Sequence, residues 1–324
     1  MASGHQGLGG LRLVLGGNVF GWTIDRDRSF AVLDAFYARG GRMIDTAEGY
    51  SAWVPGNKGG ESETIIGEWL ESRGVRQEMR IATKTGAAGR AGDLRPQKLG
   101  VALAASLERL RTDYVDLYYA HRDDPETPLD EVAEGFDALV RAGKVRELGA
   151  SNFKSERLAL ALDVAGSRGL ASYTVLQNAY NLVSRRGFSV QLQQVCVDRG
   201  VAVLPYSGLA SGFLSGKYRS PEDFEGAVRG AAAKQAAEGG WQALPVLDAV
   251  ASETGATPAE VALAWLNAQP SIHAAIASGT SVDHVEQLCR AATLELTQDQ
   301  LARLTAVSAR TEELTRLPCS GSAP

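Results

Sequence analysis

The sequence predicts an α/β protein, a single domain over residues 1–324 whose eight parallel strands close into a (β/α)8 (TIM) barrel. Three observations carry this. Short apolar, β-branched or aromatic runs alternate with longer amphipathic segments along the chain. Such alternation implies a parallel sheet. Eight strand–helix units in a row match the count at which the sheet closes on itself. The rival architecture is an open doubly wound sheet. It lacks its usual mark, because no G-x-G-x-x-G follows the first strand and GLGGLR at 7–12 has the wrong spacing.

In chain order, strands are expected at LRLVLGG (11–17), GRMID (41–45), MRIATK (79–84), VDLYYAH (115–121), VRELGAS (145–151), TVLQ (174–177), VAVLPY (201–206) and HAAIAS (273–278). Helical spacing fills the gaps. RSFAVLDAFYARGG (28–41) places Phe30, Leu33 and Phe36 or Tyr37 on one face and ends in glycine. PQKLGVALAASLERLRT (96–112) aligns Leu99, Leu103, Leu107 and Leu110. SERLALALDVAGSRG (155–169) offers Ser155 as an N-cap and Gly169 as a stop. Three parts depart from a plain barrel. The stretch up to Gly17 reads as a short N-terminal hairpin plugging the bottom. Residues 208–242, after the seventh strand, form a long glycine-punctuated loop with a short helix inside, of the kind that covers a cofactor or substrate. The polar tail, about 309–324, is expected to fray.

Bulk properties narrow the function classes. At 324 residues the length alone suggests two domains, but α/β barrels reach this size as one. A net charge of −5 argues against a nucleic-acid surface. The three cysteines, Cys196, Cys289 and Cys319, fit neither a disulfide framework nor a zinc site, which suits a reducing cytoplasm. The N-terminal MASGHQGLGG lacks the apolar core of a signal peptide, and no stretch is long and apolar enough to span a bilayer. His5, His121, His273 and His284 form no ligand pair, so no metal is expected and a metal-dependent hydrolase ranks low.

In a barrel, chemistry gathers at the carboxyl ends of the strands. There the sequence places Asn18, Asp45 with Tyr50, Lys84, His121, Ser151 with Asn152, Gln177, Tyr206 with Ser207, and Ser278 with Thr280. Each residue alone has a plainer reading: a loop cap for Asp45, a packed aromatic for Tyr50, an ordinary ion-pair partner for Lys84, a loop hydrogen bond for His121. Their joint placement on successive strand ends favours function. The four suit carbonyl reduction. Hydride arriving at a carbonyl carbon builds negative charge on oxygen, which then needs a proton and polar stabilisation. A tyrosine of pKa about 10 is a slow acid at neutral pH, and a nearby ammonium lowers it by stabilising phenolate. Lys84 supplies that charge, Asp45 holds it, and His121 orients the substrate oxygen.

IDTAEGYSAW, RIATKTG, DLYYAHRDD, ELGASNF, LQNAYNLV and LPYSGLASGFLSGKY resemble, in order and spacing, the motifs of the aldo-keto reductases, from about Leu11 to about Leu304. NVFGWTID and GNKGGESETIIG resemble a bacterial branch of that family. The resemblance implies a (β/α)8 barrel that reduces aldehydes or ketones to alcohols with NADPH rather than NADH. It makes Tyr50 the proton donor, Lys84 and Asp45 its tuners, and His121 the residue that positions the carbonyl. It implies a cofactor site of Gly17, Asn18, Asp45, Ser151, Asn152 and Gln177, with Tyr206 stacked on the nicotinamide. Ser207, Leu209 and Lys217 would line the pyrophosphate channel. One site departs from the common pattern. After the last strand, IASGTSVDHVEQL (276–288) carries no arginine for a 2′-phosphate, leaving Ser278, Thr280 and Ser281 to bind phosphate and His284 or Gln287 to face adenine. Phe20, Trp22 and Trp53, with His121, are candidates for the substrate pocket; the three aromatics are equally candidates for core packing. Trp241 either closes over substrate or anchors the long loop. The expected partner is a small carbonyl compound, with no nucleic acid and no membrane. A different class of function, a nicotinamide-redox-sensing regulatory subunit with little turnover, is the alternative.

Overall fold

Eight strands overlap the eight expected runs: β1 Leu13–Gly16, β2 Met43–Asp45, β3 Arg80–Thr85, β4 Val115–Ala120, β5 Val145–Ser151, β6 Tyr173–Gln177, β7 Ala202–Val203 and β8 Ala275–Ala277. The computed structural model describes residues 11–86 and 93–316, with side chains as far as Ser308. All neighbouring strands pair in parallel, in the order β7-β6-β5-β4-β3-β2-β1-β8. The two outer segments also approach each other. His273 N donates to Val203 O at 2.9 Å and Ile276 N to Pro205 O at 2.9 Å. The curl shows in the side chains too: Gln177 on β6 hydrogen-bonds Asp45 on β2 at 2.8 Å, although three strands separate them in the ladder. A curled, parallel eight-stranded sheet with alternating helices is consistent with a (β/α)8 barrel.

The helices between the strands are α1 Arg26–Ala38, α2 Glu61–Arg73, α3 Pro96–Leu110, α4 Leu129–Arg141, α5 Ser155–Ser167 and α6 Val190–Arg199. The long crossover after β7 holds α7 Gly230–Ala237, α8 Ala243–Thr254 and α9 Pro258–Asn267. After β8 come α10 Val282–Ala291 and α11 Gln298–Arg316. The apolar stripes read from sequence are the buried ones: Phe30, Leu33 and Phe36 on α1, and Leu99, Leu103, Leu107 and Leu110 on α3. The cap of α5 differs from the expectation. Lys154 occupies the N-cap without a side-chain bond, and Ser155 is already the first helical residue, so its hydroxyl cannot serve there.

Strand alternation divides the core in two. Leu13, Leu15, Ile44, Ile81 and Tyr118 face the helices. Val14, Met43, Ala82, Leu117, Tyr119, Val175, Leu204 and Ile276 fill a separate cluster inside the curl. Gly149 belongs to this inner face, because a Cβ there would lie 2.3 Å from the Tyr119 ring. A glycine on β5 therefore makes room for that tyrosine.

The hairpin expected before Gly17 lies outside the described residues up to Gly10; two residues, Leu11 and Arg12, lead into β1 at Leu13. The 208–242 segment holds two 3-10 turns, Ala210–Ser215 and Pro221–Phe224, ahead of α7. Trp241 packs edge-on against Phe213 at 5.1 Å and at a tilt against Phe224 at 5.8 Å, so it anchors this segment upon itself. Residues 317–324, the end of the tail expected to fray, lie outside the described ones. Among the described residues no helix is long and apolar enough to cross a membrane, and no cluster suits a metal ion.

Candidate active site

Two residues beyond one inward-facing position on each strand lies a site residue. Stepping from Val14, Met43, Ala82, Tyr119, Gly149, Val175, Leu204 and Ile276 gives Gly16, Asp45, Lys84, His121, Ser151, Gln177, Tyr206 and Ser278. The period-2 geometry of a strand thus places one group from each strand end at a common rim. All but the fully buried Lys84 line one cavity of about 590 Å³.

Lys84 is the hub. Its Nζ donates to Asp45 Oδ2 at 2.7 Å, to Thr46 O at 2.7 Å and to the Tyr50 hydroxyl at 3.0 Å. An ammonium has three N–H groups, so this set satisfies it completely. Gln177 Nε2 holds the other carboxylate oxygen of Asp45. Tyr50 arrives on the loop after β2, and backbone bonds lay that loop on β3: Thr46 N to Ala82 O at 2.8 Å and Glu48 N to Lys84 O at 3.2 Å. Glu48 adds a side-chain clamp, accepting from Thr85 Oγ1 at 2.8 Å and Gly86 N at 3.0 Å. Sequence reasoning missed Glu48. The available signal was a second carboxylate lying between Asp45 and Tyr50 in the same short loop.

Burial pushes the Tyr50 phenol above its ordinary value, while the Lys84 ammonium pulls it down without prevailing. Burial likewise opposes the Lys84 ammonium, but Asp45 and Tyr50 together outweigh it and raise its pKa. Both groups therefore rest protonated, with the phenol oxygen 3.0 Å from the ammonium. The expectation that Lys84 would bring the phenol below its ordinary value is corrected: burial dominates.

The His121 ring meets Tyr50 edge-on with centroids 6.2 Å apart, and its Nδ1 is buried without a hydrogen-bond partner. Burial first, then the Lys84 and Arg122 charges, lower its pKa from 6.5 to about 3. Folded His121 is neutral in neutral solution, whereas the unfolded chain takes up a proton below 6.5. Stability from this residue is complete above that value and is lost as pH falls toward about 3. The urea midpoint is expected to drop between about pH 6.5 and 4.5, and to drop less in His121→Asn. An equal drop in both proteins would count against this assignment.

Asn152 sits at φ +60°, a left-handed conformation that asparagine tolerates. Its Nδ2 donates to His121 O at 2.9 Å and to Ser151 Oγ at 3.0 Å, and its Oδ1 accepts from the Tyr206 hydroxyl at 2.7 Å. Ser151 Oγ donates to Gln177 O at 2.7 Å. Toward β8, Ser278 Oγ donates to Asn18 Oδ1 at 2.7 Å, Thr280 Oγ1 lies 3.0 Å from His284 Nδ1, and Gln287 Nε2 donates to Thr257 Oγ1 at 2.7 Å. All of these but Thr257 line the cavity, as do Ser207, Leu209 and Lys217.

Besides Lys84, four expected site residues do not line it. Gly17 is turned toward α2, where its carbonyl accepts from Ser62 Oγ, and Gly16 lines the wall instead. Phe20 is fully buried in the outer core, the packing alternative left open above. Ser281 caps α10, accepting from His284 N at 3.2 Å. Trp53 is 51% exposed and leans on the rim, edge-on to Trp22 at 5.4 Å and to Tyr50 at 6.3 Å. Trp22 does line the cavity, together with Arg122 and Arg229, neither of which had been singled out.

Comparison with known proteins gives the same grouping as the motifs. Residues 12–309 match the family model described as the aldo/keto reductase family. The chain is 32% identical to aldo-keto reductase str7 of Strobilurus tenacellus, over 90% of this chain and 84% of that protein. It is 32% identical to protein tas of Escherichia coli K12, over 94% and 95% of the two chains. It is 29% identical to the aryl-alcohol dehydrogenase [NADP(+)] of Phanerodontia chrysosporium, over 86% and 75%. The chain belongs to the aldo/keto reductase family and is an NAD(P)H-dependent oxidoreductase.

Proposed function

We propose that the chain is an NADPH-dependent reductase of aldehyde or ketone carbonyls on a closed (β/α)8 barrel, with Tyr50 as proton donor. The observation that carries this reading is the Asp45–Lys84–Tyr50 chain of 2.7 and 3.0 Å contacts opening on the cavity beside a neutral His121. When bound, the dinucleotide supplies the hydride that reaches the carbonyl carbon. Tyr50 gives its phenolic proton to the carbonyl oxygen, and Lys84 stabilises the phenolate left behind. Asp45 fixes the ammonium, and Gln177 fixes Asp45. His121, being neutral, has one N–H to orient the substrate oxygen without adding a charge that would compete for the proton.

The residues present fit the cofactor. Asp45 is the sole carboxylate among the residues lining the cavity, and Lys84 already neutralises it; Lys217, Arg122 and Arg229 leave the wall cationic. Such a wall suits a phosphate-bearing ligand. Ser151, Asn152, Gln177 and Tyr206 would surround the nicotinamide, Ser207, Leu209 and Lys217 the pyrophosphate, and Asn18, Ser278, Thr280, His284 and Gln287 the adenosine end. The 208–242 segment, which carries Lys217 and Arg229, would be the cofactor loop. Both described cysteines, Cys196 and Cys289, are free and buried, in keeping with the cytoplasm.

The test is loss of NADPH absorbance with a panel of aromatic and aliphatic aldehydes, repeated with NADH. Turnover with NADPH and slower turnover with NADH are expected. Tight NADPH binding with no aldehyde reduced would overturn the reading.

A further inference from the structure

We propose that Tyr119 is a positioning residue for the proton transfer: its ring is the floor on which the Lys84 ammonium, His121 and Gln177 are set, and Gly149 is the residue that admits it. This deepens the reductase reading and rests on it. Strand register puts Tyr119 in that place. Its Cα partner on β3 is Lys84, and its partner on β5 is Gly149. Partners on paired strands share a face of the sheet, so the ring stands in one row between an ammonium and a bare backbone. His121 follows two residues later on β4, which sets the imidazole one step above the same ring.

The ring leans over Gly149. A Cβ there would fall 2.3 Å from its Cδ1 and 2.4 Å from its Cε1, so any side chain at 149 displaces the ring. Lys84 Nζ lies 5.8 Å from the centre of the Tyr119 ring and 4.7 Å from that of Tyr50. Two aromatic rings thus flank the ammonium and restrict its movement. The Tyr119 hydroxyl is buried and has no hydrogen-bond partner, in an inner cluster whose other buried members are all apolar. Phenylalanine would fill nearly the same volume without burying a hydroxyl. The groups that act on this hydroxyl belong to the site above it. Burial, then the Asp45 charge, push its pKa well above the ordinary value, and Gln177 opposes them. Gln177 turns its Nε2 to Asp45, so its amide oxygen is the acceptor that suits a neutral phenol. The flipped amide would set that oxygen against the carboxylate.

The experiment compares the wild type with Tyr119→Phe, Tyr119→Leu, Gly149→Ala and the double variant Tyr119→Leu/Gly149→Ala. Single-turnover reduction of 4-nitrobenzaldehyde by NADPH gives the rate of the chemical step, and fluorescence titration gives NADPH binding. Proton–nitrogen NMR of the lysine ammonium groups reports whether Lys84 is held, its signal being assigned by its absence in Lys84→Met. Misplaced reacting groups are expected to slow Tyr119→Leu and Gly149→Ala by about a hundredfold. Loss of the hydroxyl alone is expected to slow Tyr119→Phe by about threefold to tenfold. NADPH binding stays within twofold, and the Lys84 signal broadens in the slow variants. The double variant removes the clash and regains thermal midpoint over Gly149→Ala, but stays slow. A double variant that regains both midpoint and rate, or a Tyr119→Leu rate within twofold of wild type, would reduce Tyr119 to core packing and overturn the proposal. Tyr119→Phe at the wild-type rate beside a slow Tyr119→Leu supports the floor and assigns it to the ring alone. Should Gly149→Ala not fold, the two Tyr119 variants decide. If the wild type reduces no aldehyde, the reductase reading falls and the ammonium signal still judges Tyr119. A sharp wild-type signal that broadens in Tyr119→Leu supports the floor; an unchanged signal, or none in the wild type, refutes it.

Discussion

Tyr50→Phe is expected to lower kcat by about three orders of magnitude while leaving dinucleotide binding and the thermal midpoint nearly unchanged. A positioned general acid contributes roughly 10²–10⁴-fold. The lost hydroxyl makes a single hydrogen bond, to a lysine that keeps its bonds to Asp45 and Thr46. The ring remains, and with it the edge-on contacts to Trp53 and His121. The effect therefore falls on the chemical step. Single-turnover kinetics with NADPH and a fast aldehyde would measure it, and a kcat within fivefold of wild type would remove Tyr50 from the role of donor.

Lys84→Met should cost more in stability. Removing one partner of a buried ion pair leaves the other charge without compensation, at about 3–5 kcal/mol. Here the stranded group is Asp45, 2% exposed, with only Gln177 still bonded to it. A second change, Asp45→Asn, removes the stranded charge. The double variant is expected to regain at least half of the lost stability in urea unfolding and none of the activity. That split separates the structural work of the pair from its chemistry. A cost below about 1 kcal/mol for Lys84→Met would mean that water enters the site to solvate Asp45.

The architecture was legible because strand periodicity is local. Val14, Met43, Ala82 and Val175 alternate with outward-facing neighbours in sequence as they do in space, and the polar residues two places on follow from the same rule. Asp45, Lys84 and Gln177 could be assigned to one rim from spacing alone. Residues governed by contacts distant in sequence were not legible in this way. Phe20 looked like a cavity wall but turns into the core. Gly17 was confused with its neighbour Gly16, since a half-turn of a 3-10 helix decides which one faces the cavity. Glu48 and Arg229 were missed because their partners, Thr85 and Trp22, lie 37 and 207 positions away. Ser281 lies on a helix end, where a capping hydroxyl and a ligand-binding hydroxyl look alike in one dimension.

The bond from Gln177 to Asp45 spans 132 positions of the chain. Cut between α4 and β5, the polypeptide would give one fragment with Asp45, Tyr50, Lys84 and His121, and another with Ser151, Asn152, Gln177, Tyr206 and the 208–242 segment. The first would hold the Asp45–Lys84–Tyr50 contacts and, on the proposed reading, still be inert, lacking the strand whose Gln177 steadies the carboxylate and the cavity wall that follows β5. Co-expression of the two halves should restore turnover only as they reassemble, which makes the cleaved enzyme a colorimetric reporter of its own folding.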